Sequence, residues 1–213
     1  MSKINIKNVT SRIEIIFGSA IKFCFKNKEI LIILLVSIVV NLFCIFDNSN
    51  HSLAAHDEGL YSRRARVIVD TGDWFTPFSE PHHKTIGSYW LIALSIRILG
   101  LNETAVRLPS AIFSILCSVF LYKVVKELIN KRSALISGLI LPVMPIWFLY
   151  SHYASPDIPF IFFILLSINF IIQSNINFAS SNHDFSKYWF YIGICLSIAF
   201  FLRSFMVFLP MSF

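Results

Sequence analysis

Four places in this chain carry residues of types that do chemistry. Asp57-Glu58 stand inside the stretch AAHDEGLYSRRARVIVDTGDWF, Ala54 to Phe75, which is strongly charged in an otherwise apolar sequence. A carboxylate there either caps a helix, contributing about 1 kcal/mol by accepting free backbone N–H groups, or acts on a hydroxyl or phosphate as general base or orienting group. The two roles are compatible. Lys84, preceded by His82 and His83, is either a solvated loop lysine or a cation for an anionic ligand. His83 is a single candidate metal ligand, because adjacent histidines need not converge on one ion. Asp157 sits in YASPDIPF, Tyr153 to Phe160, where Pro156 and Pro159 suit the first turn of a helix; it caps that helix or faces a cavity. Arg203 lies inside an apolar run, where a cation costs a few kcal/mol unless paired or hydrated. It snorkels to the interface or holds a phosphate.

The elements that must position these groups are membrane helices. Of 213 residues, 56% are hydrophobic and only 14% charged, and the charges fall in blocks between apolar runs that a water-facing surface does not accommodate. Five runs, roughly 30–46, 105–122, 133–150, 157–173 and 188–211, approach the ~20 residues that cross a hydrocarbon core. The expected fold is all-α, with about five transmembrane helices. Lys3, Lys7, Arg12, Lys22, Lys26 and Lys28 precede the first run against Glu14 and Glu29, so the positive-inside rule places a basic segment 1–29 in the cytoplasm. Lys123, Lys126, Lys131 and Arg132 in the next cytoplasmic connection agree with that orientation. The 174–187 connection, with Lys187 and Asp184, is neutral on the point. The first run reads as an uncleaved anchor, since it and its charged lead exceed a usual signal peptide.

The loop 47–104 is then outside, and too long for a simple connection. Tyr61, Ala65, Ile68 and Val69 recur at helical spacing after Asp57, and Gly72 suits a C-terminal stop. A second amphipathic stretch, 86–99, carries Tyr89, Trp90, Ile92, Ala93 and Ile96. Both are expected as helices on the outer membrane face. Topology puts Asp157 on the same side as Asp57, where two acids and a lysine, Lys84, can share one outer cavity, and puts Arg203 toward the outer end of its own run. Cys24, Cys44, Cys117 and Cys195 lie in or beside apolar runs without CxxC spacing, which reads as packing, not as a disulfide framework or zinc site.

In order and spacing, Asp57-Glu58, Gly72-Asp73-Trp74, Lys84 with Tyr89-Trp90, Arg107 and Asp157 resemble a family of membrane glycosyltransferases of the GT-C type: the aminoarabinose transferases that modify lipid A and bacterial relatives resembling protein mannosyltransferases. Leu202-Arg203 looks like that family's Thr-Lys pair. The resemblance implies sugar transfer from a polyprenyl-phosphate donor to a lipid, glycan or protein acceptor at the outer face of a bacterial cytoplasmic membrane, with a divalent metal in many members. It implies Asp57, with Glu58, as the catalytic carboxylates and Asp157 as a second acid of the cavity. Lys84 and Arg203, and after them Arg63 and Arg64, would hold the donor phosphate. Family members continue for several more spans, so residues 30–213 read as an incomplete transmembrane domain, the N-terminal part of an enzyme. Two other readings stay open: an inactive fragment or non-enzymatic scaffold in which the acids only cap helices, and a transporter or flippase fragment. The second fits less well because the charges cluster outside and not at mid-bilayer. Nucleic acid is not an expected partner, since the basic residues flank a spanning helix and suit anionic headgroups.

Overall fold

The structure is a computed structural model that describes residues 27–47, 52–53, 57–78, 85–179 and 185–208. Its elements are α1 (Lys28–Asp47), α2 (Asp57–Thr71), α3 (Gly87–Leu99), α4 (Glu103–Leu128), α5 (Lys131–Ile140), a 3-10 turn (Leu141–Val143), α6 (Pro145–Ser151), α7 (Asp157–Ala179), α8 (Phe185–Arg203) and a closing 3-10 turn (Ser204–Phe208). No strand occurs among the described residues. The chain is an all-α membrane protein. Helices are the form that lets an apolar segment satisfy its own backbone away from water.

Among the described residues, Glu103–Leu128 and Asp157–Ile176 are long and apolar enough to cross a bilayer, and the bent pair Lys131–Val143 and Pro145–Ser151 makes a third. α1 and α8 take the places of the first and fifth expected runs. The 133–150 run departs from expectation: it is not one straight helix but turns by 60° between its halves. The cause is local. Pro142 and Pro145 remove two ladder donors, and Met144, forced away from helical geometry by the proline after it, sits at φ −65, ψ 130.

The starts of α4 and α5 are fixed by asparagines. Asn102 Oδ1 accepts from the Ala105 N–H at 2.7 Å and Asn130 Oδ1 from the Ser133 N–H at 2.8 Å, the exchange an N-cap makes for an orphan donor. α2 stops where expected, at Gly72, whose φ of +72 lets its N–H reach the Ile68 carbonyl at 3.0 Å.

α4 is the central helix and packs against α1, α3, α5, α6 and α7, while α7 and α8 form the most extensive pair. At one end Ile30 and Ile33 of α1 meet Val119 and Tyr122 of α4 and Ala134 of α5, and Lys131 Nζ lies 2.7 Å from Glu29 Oε1. At the other end α2 and α3 form a lid over the bundle. Tyr61, Ala65 and Ile68 of α2 interlock with Tyr89, Ile92, Ala93 and Ile96 of α3, above Ala105 and Val106 of α4. The starts of α4 and α7 and the end of α8 come to this same end.

Two features set how closely the helices approach. On α4 the buried positions Ser110, Ser114 and Ser118 repeat every four residues; Ser110 Oγ donates to the Ser155 carbonyl, and Trp147 Nε1 donates to Ser114 Oγ at 2.9 Å. Small, hydrogen-bonding residues are what membrane helix interfaces use in place of hydrophobic burial. On α3, a Cβ at Gly87 would lie 2.6 Å from the Phe201 carbonyl oxygen of α8. Gly87→Ala is therefore expected to lower stability by about 1–3 kcal/mol, since overpacking against rigid backbone outweighs the ~1 kcal/mol of helix propensity that alanine brings. Thermal unfolding in detergent tests this, and an unchanged or raised midpoint would show that the α3–α8 contact is not tight.

Asp73 shapes the turn that follows α2. Its Oδ1 accepts the N–H groups of Phe75 and Thr76 at 2.9 Å each, and its Oδ2 accepts from Thr76 Oγ1 at 2.8 Å. The Thr76 and then the Phe75 N–H hold the Asp73 carboxyl below the ordinary carboxylate range. A depressed folded value means the turn's stabilisation is fully present above about pH 4 and is lost as pH falls through the folded value. The protection of the Phe75 and Thr76 amides, as the ratio of intrinsic to observed exchange rate, should fall on acidification in the natural protein and not in Asp73→Asn; the same fall in both would assign the response to another group.

Candidate active site

A cleft of about 330 Å³ opens where the start of α2, the segment between α6 and α7 and the end of α8 meet. Asp57 and, one turn later, Tyr61 face it from α2; Tyr150 comes from α6, Tyr153 and Ser155 from the α6–α7 turn, Asp157 from the first turn of α7, and Arg203 and Ser204 from the junction of α8 with the closing 3-10 turn. The two acids expected to share a cavity, Asp57 and Asp157, are brought together from elements far apart in the chain, and Arg203 lines the same cleft. Arg203 Nη1 pairs with Asp157 Oδ1, and Ser155 Oγ donates to Asp157 Oδ2 while accepting the Asp157 N–H at 3.1 Å. One nitrogen of the Arg203 fork is engaged by Asp157, and the guanidinium carries further donors on a side chain that is about one third exposed. Ser204 takes φ +54, which ends α8 immediately after Arg203.

Glu58 is placed elsewhere, although it adjoins Asp57. Its side chain is 1% exposed, and it does not line the cleft. Arg107 Nε donates to Oε1 and Arg107 Nη2 to Oε2, both at 2.9 Å, and the Ala154 N–H donates to Oε1 at 2.9 Å. With both oxygens taken up in a closed ionic contact, Glu58 acts as a clamp and not as a group facing a substrate; this corrects its expected place beside Asp57. The physical reason is helix geometry: consecutive residues point about 100° apart. The clamp ties the start of α2, which carries Asp57, to α4 and to the turn that carries Asp157.

The other expected residues divide. Arg63 is exposed and faces a different surface of α2. Arg64 lies with its guanidinium 4.6 Å from the centre of the Phe78 ring. Neither lines the cleft, which corrects their expected place among the donor-phosphate residues. Lys84 and His83 lie outside the described residues, although Thr85, next in the chain, is at the cleft wall. Among the described residues no three His, Cys, Asp or Glu side chains converge as a metal site.

Sequence reasoning did not single out Tyr61, Tyr150, Tyr153 and Ser155 as cleft residues. Ser155 carried a readable signal, a hydroxyl two residues before an aspartate at a helix start, a spacing at which short polar side chains bond locally. Tyr150 carried none, since its place depends on the break before α6.

Residues 83–213 match the family model described as dolichyl-phosphate-mannose-protein mannosyltransferase. The chain belongs to this family. The matched segment of this mannosyltransferase-family chain includes Asp157 and Arg203 but starts after Asp57, whose assignment rests on the cleft itself. Over 139 residues, 63% of its length, the chain is 30% identical to an uncharacterised protein of Aquifex aeolicus (strain VF5), covering 28% of that protein. It is 29% identical to a second such Aquifex protein over 145 residues, 67% of this chain and 34% of the other. Over 103 residues, 46% of its length, it is 30% identical to the undecaprenyl phosphate-alpha-4-amino-4-deoxy-L-arabinose arabinosyl transferase of Aeromonas salmonicida (strain A449), covering 19% of that protein. The chain thus spans about a third or less of the curated relatives it matches. No solved structure matches it.

Proposed function

We propose that this mannosyltransferase-family chain carries the catalytic cleft of a glycosyltransferase that moves a sugar from a polyprenyl-phosphate donor to a lipid, glycan or protein acceptor at the outer face of the cytoplasmic membrane. The observation that carries the reading is the gathering of Asp57, Asp157 and Arg203 in one cleft at the end of the bundle opposite Lys131 and its neighbouring basic residues. The positive-inside rule puts that basic end in the cytoplasm. The Aeromonas relative's undecaprenyl phosphate name supports a lipid-linked donor.

In this reading the acceptor hydroxyl attacks the anomeric carbon while Asp57 takes its proton. The bond between that carbon and the phosphate oxygen breaks, with inversion, and the electron pair leaves on the polyprenyl phosphate. Arg203, together with Lys84, stabilises the negative charge that develops there. Asp157, fixed by Ser155, orients the Arg203 fork. If a divalent metal serves the enzyme, it would neutralise phosphate charge, and His83 is the expected ligand. A second reading, a non-enzymatic scaffold, draws on the engagement of the Asp157 carboxylate by Ser155 and Arg203, which is what a purely structural acid would show.

The test is transfer of radiolabelled sugar from polyprenyl-phosphate donors to membrane acceptors by the natural full-length protein and by Lys84→Ala at equal expression. Loss of transfer with folding intact supports donor-phosphate binding at this cleft. Full transfer by the variant would remove Lys84 from the site, and absence of transfer from every donor by the natural protein would favour the scaffold.

A further inference from the structure

Among the described residues three tyrosines line the cleft, and two of them also serve other parts of the fold. Tyr61 is 4% exposed, with its ring 5.6 Å from that of Tyr89 in the α2–α3 lid. Tyr153 is half-buried and also walls a smaller cavity beside the Glu58–Arg107 clamp. Tyr150 differs. It is 40% exposed, and among the described residues its ring meets no other ring and its phenol no hydrogen-bond partner. Helix geometry accounts for its place. On α6 the well exposed Ile146 and Leu149 take the outward face, while Trp147 bonds to Ser114 of α4. At about 100° per residue Tyr150 falls between those two faces, at the edge where the helix borders Asp57 and Arg203 across the cleft.

The rest of the lining divides by chemistry. Arg203 offers charge, and Asp57, Ser155 and Ser204 offer polar groups. Pro156 and Leu202 are buried, so the apolar surface left open is the Tyr150 ring together with Met206. A pyranose matches a wall of this kind. Its hydroxyls point outward to polar partners, and its C–H groups form an apolar face that a flat aromatic ring covers. At about 330 Å³ the cleft stands at the small end of ligand pockets, which suits one sugar ring with its phosphate. We infer that Tyr150 is a sugar-binding residue whose ring stacks on the transferred pyranose, with the phosphate at Arg203 and the anomeric carbon toward Asp57. The inference rests on the glycosyltransferase reading for the kind of ligand, and on the open ring of Tyr150 for where its sugar lies.

The test is native mass spectrometry of the full-length protein in detergent, titrated with an equimolar pair of diesters. One is farnesyl phosphate carrying D-glucose, D-galactose or D-mannose; the other is farnesyl methyl phosphate, which has the same tail and charge without the ring. The natural protein should prefer the sugar-bearing diester by about tenfold for at least one of these sugars, and Tyr150→Leu should lower that preference to about twofold, the order of one lost aromatic stack. Tyr150→Phe keeps the ring and should keep the preference. Each preference is a ratio within one sample, so a partly misfolded variant does not mimic the result. Equal binding of the two diesters by the natural protein with every sugar would overturn the proposal, a readout that needs no variant to fold. A preference retained in Tyr150→Leu would overturn it as well and leave Tyr150 an interfacial anchor. So would an equal loss of both diesters in that variant, which would set the ring against the farnesyl chain. A Tyr150-dependent preference in a protein that transfers no sugar would uphold the sugar site and remove the reaction.

Discussion

Asp57→Asn in the full-length protein is expected to cut sugar transfer by about 10²–10⁴-fold, the usual worth of a positioned general base, with little change in thermal stability. Asparagine keeps the shape of the side chain and is as good a residue as aspartate at the start of a helix, so a residue that merely caps α2 would lose at most the dipole contribution of about 0.3–1 kcal/mol. The substitution therefore separates the two roles that Asp57 admits from sequence. Transfer and melting are measured on the same preparation. Undiminished transfer would leave Asp57 as a helix-start residue and take the catalytic reading of the cleft with it. Loss of transfer accompanied by a large fall in melting temperature would show damage to the α2–α3 lid instead of to the chemistry.

The largest effect on stability is expected at the Glu58–Arg107 clamp. Removing one partner, as in Glu58→Ala or Arg107→Ala, leaves a charge buried without its counter-ion and costs about 3–5 kcal/mol. Removing both, as in Glu58→Leu with Arg107→Leu, leaves no charge behind and should cost much less. The residual cost in the double variant comes from the Ala154 N–H, which loses its acceptor and is worth about 1–3 kcal/mol if left unsatisfied. Thermal unfolding of the two single variants and the double variant in one detergent decides the matter. Single variants as stable as the double would show the pair to be solvated and no clamp at all.

Much of the architecture was legible because membrane helices declare themselves by run length, and α2 and α3 by spacing together with Gly72. The meeting of Asp57 and Asp157 was legible too, since counting crossings puts both at one end of the bundle; Arg203 joined them only through the family resemblance. The division of labour between Asp57 and Glu58 was not. It depends on an arginine 49 residues away, and no local pattern announces which of two adjacent acids a distant side chain will reach. The bend at Met144 was announced by Pro142 and Pro145, but hydropathy averaged across them and read one straight span. Arg63 and Arg64 enter as phosphate residues only through the family resemblance; on a helix, six or seven residues beyond Asp57 is about two turns, far enough to leave a small cavity.

The serines at every fourth position of α4 have a consequence for how the protein tolerates change. In lipid, an alanine or glycine in place of Ser114 or Ser118 forfeits a hydrogen bond of modest worth but leaves the spacing between neighbouring helices as it was. A leucine there, harmless by any hydropathy scale, would push the neighbours apart, and α4 has neighbours on most of its circumference. Along this helix the sequence is constrained by volume more than by polarity, so drift among descendants should exchange small residues freely there while the lipid-facing positions change size at will.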